Sequence, residues 1–303
     1  MYELIIVGAG PAGVTAAVYA ARKRMNFIVV SEDIGGQTTW SGDIENYTGY
    51  QFITGTELVG KFEEHMKKYN IPLKENEKVI ELKKSDTDNT VIVKTENGAT
   101  HEAKTAIIAS GKRSRELGVP GEKEFRKRGV TYCATCDGPL FAGKDVAIVG
   151  GGNSGLEAAL QLIKIAHKIY LINITSNLTG DPILREKVIA SDKVRVMNDT
   201  RVFEVMGDNF VHSIKVAHAK GKETIPVKGV FAEIGLIPNS EFVQGIEKNQ
   251  WGEIIVNNCN ETNVPFIYAA GDVTDVPEKQ IIIAAGEGSK ALLSAYGYLA
   301  HLK

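Results

Sequence analysis

The chain has 303 residues, 43% of them apolar, with a net charge of −2 and only three cysteines. That length supports a large core and two domains. The near-neutral charge excludes the electrostatic footprint of a nucleic-acid or anionic-membrane binder, and the cysteine count excludes a disulfide-stapled secreted scaffold.

From Leu4 to Ala21 no charged residue occurs, which mimics a signal or membrane segment. The opening MYE lacks a basic region, and Gly8, Gly10, Pro11 and Gly13 break the run early. The stretch is therefore read as a buried strand, a glycine turn and a helix, and the protein is expected to be soluble and cytoplasmic. In G-x-G-x-x-G the first glycine makes the tight turn. The second admits a pyrophosphate, and the third lets the helix pack on the strand. The helix start then offers N–H groups and a positive dipole end to phosphates. The next apolar run ends in Glu32, an acid placed to accept hydrogen bonds from a ribose diol. Strand, turn, helix and acid together predict a dinucleotide site.

Residues 78–109 hold short alternating runs, VIELK, TVIVKT and KTAIIAS, that predict added strands. The Gly/Pro/charge stretches 111–124 and 234–241 read as crossings between domains. The one dense basic run, KEFRKRG (123–129), reads as a solvated loop.

VTYCATCDGPLF (130–141) carries Cys133 and Cys136 with Asp137 directly behind. Structural zinc wants four ligands, usually as two close pairs, and beyond this CxxC only Cys259 remains. A structural thiol pair and a redox disulfide stay open. Thiol–disulfide exchange needs an attacking thiolate and a proton for the leaving one. Asp137 suits the proton role if partly desolvated, and it also suits a turn in CDGP. Cys259, in NNCNETNVP, reads as a bystander.

The pattern of the amino end then recurs. Strand VAIV is followed by Gly150, Gly152 and Gly155, a helix and a second strand, IYLI. That strand ends at Asn173, which is neither an acid for a ribose diol nor an arginine for a 2′-phosphate. A second nucleotide fold is predicted with its ligand unspecified. Near the carboxyl end, residues 264–300 predict a strand, a turn at Gly271-Asp272 and a helix beginning about Gln280. The turn either presents a carboxylate to sugar-like hydroxyls or merely caps the helix. The plan is an α/β chain of two Rossmann-like dinucleotide-binding domains. The first spans 1–112 and 240–303. The second, 116–237, is inserted in it and carries the CxxC directly before its nucleotide fold, which makes sense if a flavin in the first fold exchanges electrons with the disulfide.

GAGPAG (8–13), GGQTTWSGDIENYTG (35–49), CATCDGPLF (133–141), GGGNSG (150–155) and AAGDVTDVPEKQ (269–280) together resemble the low-molecular-weight thioredoxin reductases over the whole length. CDGPLFAGK, GGGNSGLEAA and KQIIIAAGEG are also similar to the carboxyl-terminal part of the alkyl hydroperoxide reductase flavoprotein. That flavoprotein's extra thioredoxin-like domain is not expected to fit in this chain. The resemblance implies a homodimeric FAD enzyme that reduces a thioredoxin-like protein, with a domain rotation presenting the cysteines to each in turn. It assigns Gly8, Gly10, Pro11, Ala12 and Gly13 to the FAD pyrophosphate and Glu32 to the adenosine ribose. Gly36, Gln37 and Thr38 would line the flavin side, with Asn46 near the ring. Asp272 of the Gly271–Asp272 turn would bind the ribitol, and Gln280 with Ile281 would cover the pyrimidine edge. Cys136 would face the flavin, Cys133 would attack the partner, and Asp137 would be the acid. Trp40 and Tyr47 flank the flavin side, as packing or as ring stacking.

NADPH-dependent members of that family carry a His-Arg-Arg cluster, with a further Arg, just after the second strand of the inserted domain. Here Asn173 to Thr179 holds no arginine, and the acid of NADH-preferring relatives is replaced by Asn173. The nicotinamide cofactor is thus open, and the donor order expected is reduced ferredoxin, then NADH, then NADPH. The alternatives are a reductase of a peroxiredoxin or glutaredoxin-like partner and, in another class, a flavin-binding sensor or electron carrier with an incidental CxxC.

Overall fold

The structure is a computed structural model that describes residues 1–41 and 43–302, the side chains of Trp40 and Asp43 excepted. The chain divides into two compact units, Met1–Arg113 with Ile237–Lys303, and Ser114–Leu236.

The first unit opens with β1 (Tyr2–Ala9), α1 (Pro11–Arg22) and β2 (Phe27–Ile34). The ribbon β3 (Asp43–Ile44) and β4 (Ile53–Thr54) leads into α2 (Gly55–Lys68). Then come β5 (Leu73–Lys74), β6 (Val79–Lys84), β7 (Val91–Thr95), β8 (Thr100–Ile108) and β9 (Lys112–Ser114). The main sheet runs β5-β2-β1-β8-β7-β6. Both faces of β1 are buried. Leu4 and Ile6 join one core cluster with α1, and Ile5 and Val7 join another on the opposite face. This is the continuous apolar pattern of a parallel strand covered on both sides. Each fully buried Leu or Ile contributes about 1.5–3 kcal/mol. α2 starts on a capping box, with Thr54 and Glu57 each holding the other's backbone N–H.

One expectation changes in kind. KTAIIAS reads as an added strand, yet β8 is central: Leu4 to Val7 pair with it in parallel at Thr105 to Ile108. Only β6 and β7 form an added antiparallel extension.

The second unit holds β10 (Val130–Thr131), the single-turn α3 (Ala134–Asp137), β11 (Asp145–Val149), α4 (Asn153–Ile163), β12 (Lys168–Ile172), α5 (Pro182–Ile189) and β13 (Val194–Met197). A meander follows, β14 (Arg201–Gly207), β15 (Val211–His218) and β16 (Gly221–Pro226), and then β17 (Gly229–Ala232). Its parallel sheet runs β10-β17-β11-β12-β13. The order reverses between β11 and β17, so the carboxyl ends of these two strands frame the crevice where such sheets bind ligands. The run 123–129 is exposed except for the buried Phe125 and the half-buried Gly129.

The chain returns through β18 (Leu236–Pro238), β19 (Ile267–Ala269) and α6 (Ile281–His301). β19 adds to the carboxyl half of β8 in parallel. α6 covers α1, with Ala291, Leu292, Ala295 and Leu299 in the same cluster as Ala12 and Ala16. Among the described residues no helix is long and apolar enough to cross a membrane.

Candidate active site

In the first unit Gly8 takes φ +102°, and a Cβ on Gly13 would lie 1.9 Å from the Gly8 carbonyl oxygen. The helix therefore starts hard against the end of β1. Pro11 occupies the first helical position, and no side chain caps α1 at Gly10. Its first-turn donors at Ala12 and Gly13 are not spent on a side chain, which is the arrangement that receives phosphate. Ser31 ties this turn to β2: its hydroxyl accepts the Ala9 N–H at 3.0 Å and donates to the Asp33 carbonyl at 2.6 Å. Glu32, at the carboxyl end of β2, is exposed on a cleft of about 410 Å³ that it shares with Asn76, Glu77, Lys78, Glu96 and Asn97. Gly36 passes beside the glycine turn, where an added Cβ would sit 3.8 Å from the Gly10 Cα. Thr38 is buried, and the Gln37 amide donates to the Lys112 carbonyl at 2.9 Å.

Two predicted residues 234 positions apart meet: the Asn46 amide donates to Gln280 Oε1 at 3.0 Å. Gln280 is the cap of α6, which begins at Ile281. Ile281 and Tyr47 both pack against Ile44, Ile53 and Leu58. Packing is thus what the structure gives Tyr47, while the Trp40 side chain lies outside the described residues. Asp272 is half-buried, and burial pushes its carboxyl above the usual range against the pull of Lys279 and Lys112.

Sequence reasoning missed the supports of this turn. Glu287, buried on α6, accepts the Gly271 N–H at 2.8 Å, and burial pushes its carboxyl up. Lys112 and Lys279 share Glu253 Oε1 at 2.8 and 3.3 Å. A glutamate amid the small apolar residues of IIIAAGEGSKALL was a signal for the first; nothing local signalled the second.

In the second unit Cys133 and Cys136 form a disulfide, with Cα atoms 5.4 Å apart. Among the described residues no His/Cys/Asp/Glu group could hold a metal. Thr131, buried at the end of β10, organises the turn: its hydroxyl donates to the Asp137 carboxylate and accepts the Cys133 N–H at 3.2 Å. Cys133 Sγ accepts the Cys136 N–H at 3.1 Å, closing α3. Cys136 is exposed and Cys133 half-buried. The Tyr132 hydroxyl donates at 2.7 Å to the buried Glu122, which also accepts the Leu117 and Gly118 N–H groups. Burial, with that hydrogen bond, pushes the Tyr132 hydroxyl up. Cys259 is an exposed free thiol.

The second glycine turn repeats the first: Gly150 takes φ +132°, and a Cβ on Gly155 would lie 1.9 Å from the Gly150 carbonyl oxygen. No side chain caps α4. Asn173, however, is buried with its amide in use. Nδ2 donates to the Thr175 carbonyl at 2.9 Å and to Asn198 Oδ1 at 3.0 Å, and Oδ1 accepts the Thr175 hydroxyl at 3.1 Å. The following segment folds back so that the Thr179 and Gly180 N–H groups donate to the Gly151 carbonyl.

A sequence model of the pyridine nucleotide-disulphide oxidoreductases matches residues 2–288. The chain belongs to that family. Among pyridine nucleotide-disulphide oxidoreductases it is 41% identical over 301 residues to a Bacillus subtilis protein named NADH dehydrogenase. It is 42% identical over 303 residues to the alkyl hydroperoxide reductase (F subunit) of Pseudomonas aeruginosa. Both alignments cover 98% of this chain and 58% of the relative, so the chain spans little more than half the length of these proteins. The crystal structure of Lactococcus lactis thioredoxin reductase superposes with a TM-score of 0.88 at 32% identity, covering 99% of this chain and all of that one. The ferredoxin-flavin thioredoxin reductase of Clostridium acetobutylicum gives 0.55 at 31%, covering 99% and 98%. The fold is thus that of the thioredoxin reductases with their FAD/NAD(P)-binding Rossmann-like domains. FAD is the cofactor this membership implies. The first unit fits it: an uncapped helix start, glycines where side chains would intrude, a cleft beside Glu32 and a half-buried carboxyl at Asp272.

Proposed function

We propose that the protein reduces the disulfide of a small thioredoxin-like protein with electrons drawn from reduced ferredoxin. The observation that carries the reading is the Cys133–Cys136 disulfide with Asp137 held beside it through Thr131, in a chain whose other unit is built for FAD. Bound FAD supplies the electron pair. Residues Gly8 to Gly13 hold its pyrophosphate and Glu32 its ribose. Gly36, Gln37, Thr38 and Asn46 line the flavin side, Gly271 and Asp272 the ribitol, and Gln280 with Ile281 the pyrimidine edge. Two electrons and one proton break the Cys133–Cys136 bond into a thiol and a thiolate. The Cys133 thiolate attacks one sulfur of the partner disulfide, and Asp137 protonates the sulfur that leaves. Cys136 then gives its proton to the Asp137 carboxylate and attacks the Cys133 sulfur of the mixed disulfide, re-forming the Cys133–Cys136 bond and releasing the partner's second sulfur as a thiolate. The proposed assembly is a homodimer in a reducing cytoplasm, with the units turning about the crossings near Ser114 and Leu236.

The donor reading rests on Asn173: a buried, uncharged amide with both N–H groups and its oxygen engaged inside the protein offers a ribose diol no carboxylate. A second reading takes NADH instead. It is favoured by the intact Gly150–Gly155 turn at an uncapped α4 and by relatives named NADH dehydrogenase. The relatives named as alkyl hydroperoxide reductase widen the partner to a peroxiredoxin-linked dithiol protein.

Anaerobic addition of NADPH, NADH and reduced ferredoxin in turn, followed by the flavin's visible absorption, tests the donor. Ferredoxin alone should bleach the protein, and disulfide thioredoxin added next should restore the colour. Rapid bleaching by low NADH replaces the first reading with the second. A protein bleached but not reoxidised by any small disulfide protein sinks both.

A further inference from the structure

We propose that Glu233 is a positioning residue of the Cys133–Cys136 centre: from the end of β17 its carboxylate holds the backbone N–H of Ala134, and its charge decides how readily the reduced centre keeps a thiolate. The inference rests on the CxxC being the working redox pair and needs neither the donor nor the partner.

The placement follows from strand register. β10 and β17 are parallel neighbours, with Thr131 opposite Phe231. Beyond Thr131 the chain rises through Tyr132 and Cys133 to Ala134; beyond Phe231 it rises through Ala232 to Glu233. On its other side β17 pairs with β11, and the Glu233 N–H donates to the Val149 carbonyl at 2.8 Å. The Glu233 carbonyl oxygen lies 2.0 Å from where a Cβ on Gly150 would sit. Glu233 therefore stands at the carboxyl edge where the strand order reverses, the ligand-binding edge of such sheets. Its side chain leaves β17 on the same face as Phe231, which packs in one cluster with Ala134, and the Ala134 N–H, first residue of α3, is the backbone donor that bears on its carboxylate.

Glu157 bears on Glu233 from α4 with like charge. Asp137 belongs to the same redox turn and is held by Thr131 of β10. At this end β11 and β17 offer Ile148, Val149, Phe231 and Ala232, all buried and apolar. Burial and the charge of Glu157 push the Glu233 carboxyl up to about 7, with the Ala134 N–H pulling the other way. A carboxylate beside a sulfur disfavours the thiolate, and the same group protonated does not. The thiolate is the attacking species. The charge on Glu233 thus changes across the pH range in which the reduced pair works.

The test is the iodoacetamide alkylation rate of the phosphine-reduced protein from pH 5 to 9, read by mass spectrometry for wild type, E233Q and E233A. Glutamine keeps an oxygen for the Ala134 N–H and removes the charge. The wild-type profile should show an inflection near pH 7 that E233Q lacks, and E233Q should react about three- to tenfold faster at pH 8, a tenfold change being one pKa unit. Superimposable wild-type and E233Q profiles overturn the proposal. So does an E233Q no different from wild type beside an altered E233A, which assigns the effect to the hydrogen bond alone. If E233Q does not fold, E157Q decides: it must move the wild-type inflection to lower pH, and an unmoved inflection overturns the proposal. An altered profile in a protein that turns over no partner would fault the function proposed above and leave Glu233 standing.

Discussion

The two glycine turns of this molecule are near copies, and the residues facing them are opposites. In each, the third glycine brings its helix so close that a Cβ would fall 1.9 Å from the carbonyl oxygen of the first. In each, the helix starts without a side-chain cap. At the end of the adjoining strand the first unit has the exposed Glu32 on an open cleft, and the second has the buried Asn173 with its amide in use. The glycines build a cradle from backbone sterics alone. Which nucleotide the cradle takes is decided 20-odd residues later by one side chain. A fold can therefore keep the first property and lose the second, and the second unit has its CxxC as another reason to persist.

The largest effect that separates the units is covalent. Cys136→Ser should lower disulfide turnover by at least about a thousandfold, more than 4 kcal/mol, while the visible spectrum of bound FAD stays near wild type. Stopped-flow and spectral measurements on one preparation check both halves. A variant that retains turnover would return the chain to the sensor class.

Next comes pH, acting on the second unit through Glu233. Its folded carboxyl titrates near 7 and its unfolded one near 4.5, so below 4.5 both states hold the proton. Between 4.5 and 7 the unfolded chain releases it first, and stability falls as pH rises, by on the order of 3 kcal/mol. Urea unfolding at pH 5 and 8 should show this loss in wild type and not in E233Q. Equal losses in both would remove Glu233 as the cause.

Smaller effects sharpen the contrast between strand ends. Asn173→Ala removes its hydrogen bonds to the Thr175 carbonyl, the Thr175 hydroxyl and Asn198, while Thr175 keeps the Asp199 N–H and the Asn177 carbonyl as partners. It should cost about 1–3 kcal/mol of stability and leave the response to every donor unchanged. Glu32→Ala should do the reverse: stability within about 0.5 kcal/mol of wild type, as at exposed sites generally, and FAD affinity about tenfold weaker for about 1.4 kcal/mol of lost contact. Thermal unfolding of the apoprotein and flavin titration separate the two. If Asn173→Ala alters the response to NADH, the second cradle is a working nucleotide site.

What was legible in the sequence is what neighbours in the chain decide. The β-branched runs, the positive-φ glycines and the capping residues act within a few positions of themselves, so both Rossmann-like turns and the helix starting after Gln280 could be read off directly. KTAIIAS misleads because a short apolar run does not say whether it lies at the rim or the centre of a sheet; pairing with β1 decides that. The redox turn was visible as CATCD, but its organiser Thr131 and the carboxylate of Glu233 were not. One stands before the motif as an ordinary strand residue, and the other arrives from a strand 100 positions away. Likewise Lys112 meets Glu253 across 141 positions. Local pattern carries no record of such pairings.

The split of the first unit also sets an order of assembly. The inserted unit is one continuous stretch, Ser114–Leu236, and contains every strand of its own sheet. The first unit leaves the ribosome unfinished: the carboxyl half of β8 waits for β19, and the apolar face of α1 waits for α6. At roughly 5–20 residues per second that wait lasts on the order of 10–40 s. During it the younger unit can close while the older one shows a bare strand edge and an uncovered helix, the features chaperones bind and aggregates grow from. Asp272, Gln280 and Ile281 follow in that later stage, so a nascent chain has its disulfide-bearing unit before it has the residues proposed to seat the flavin.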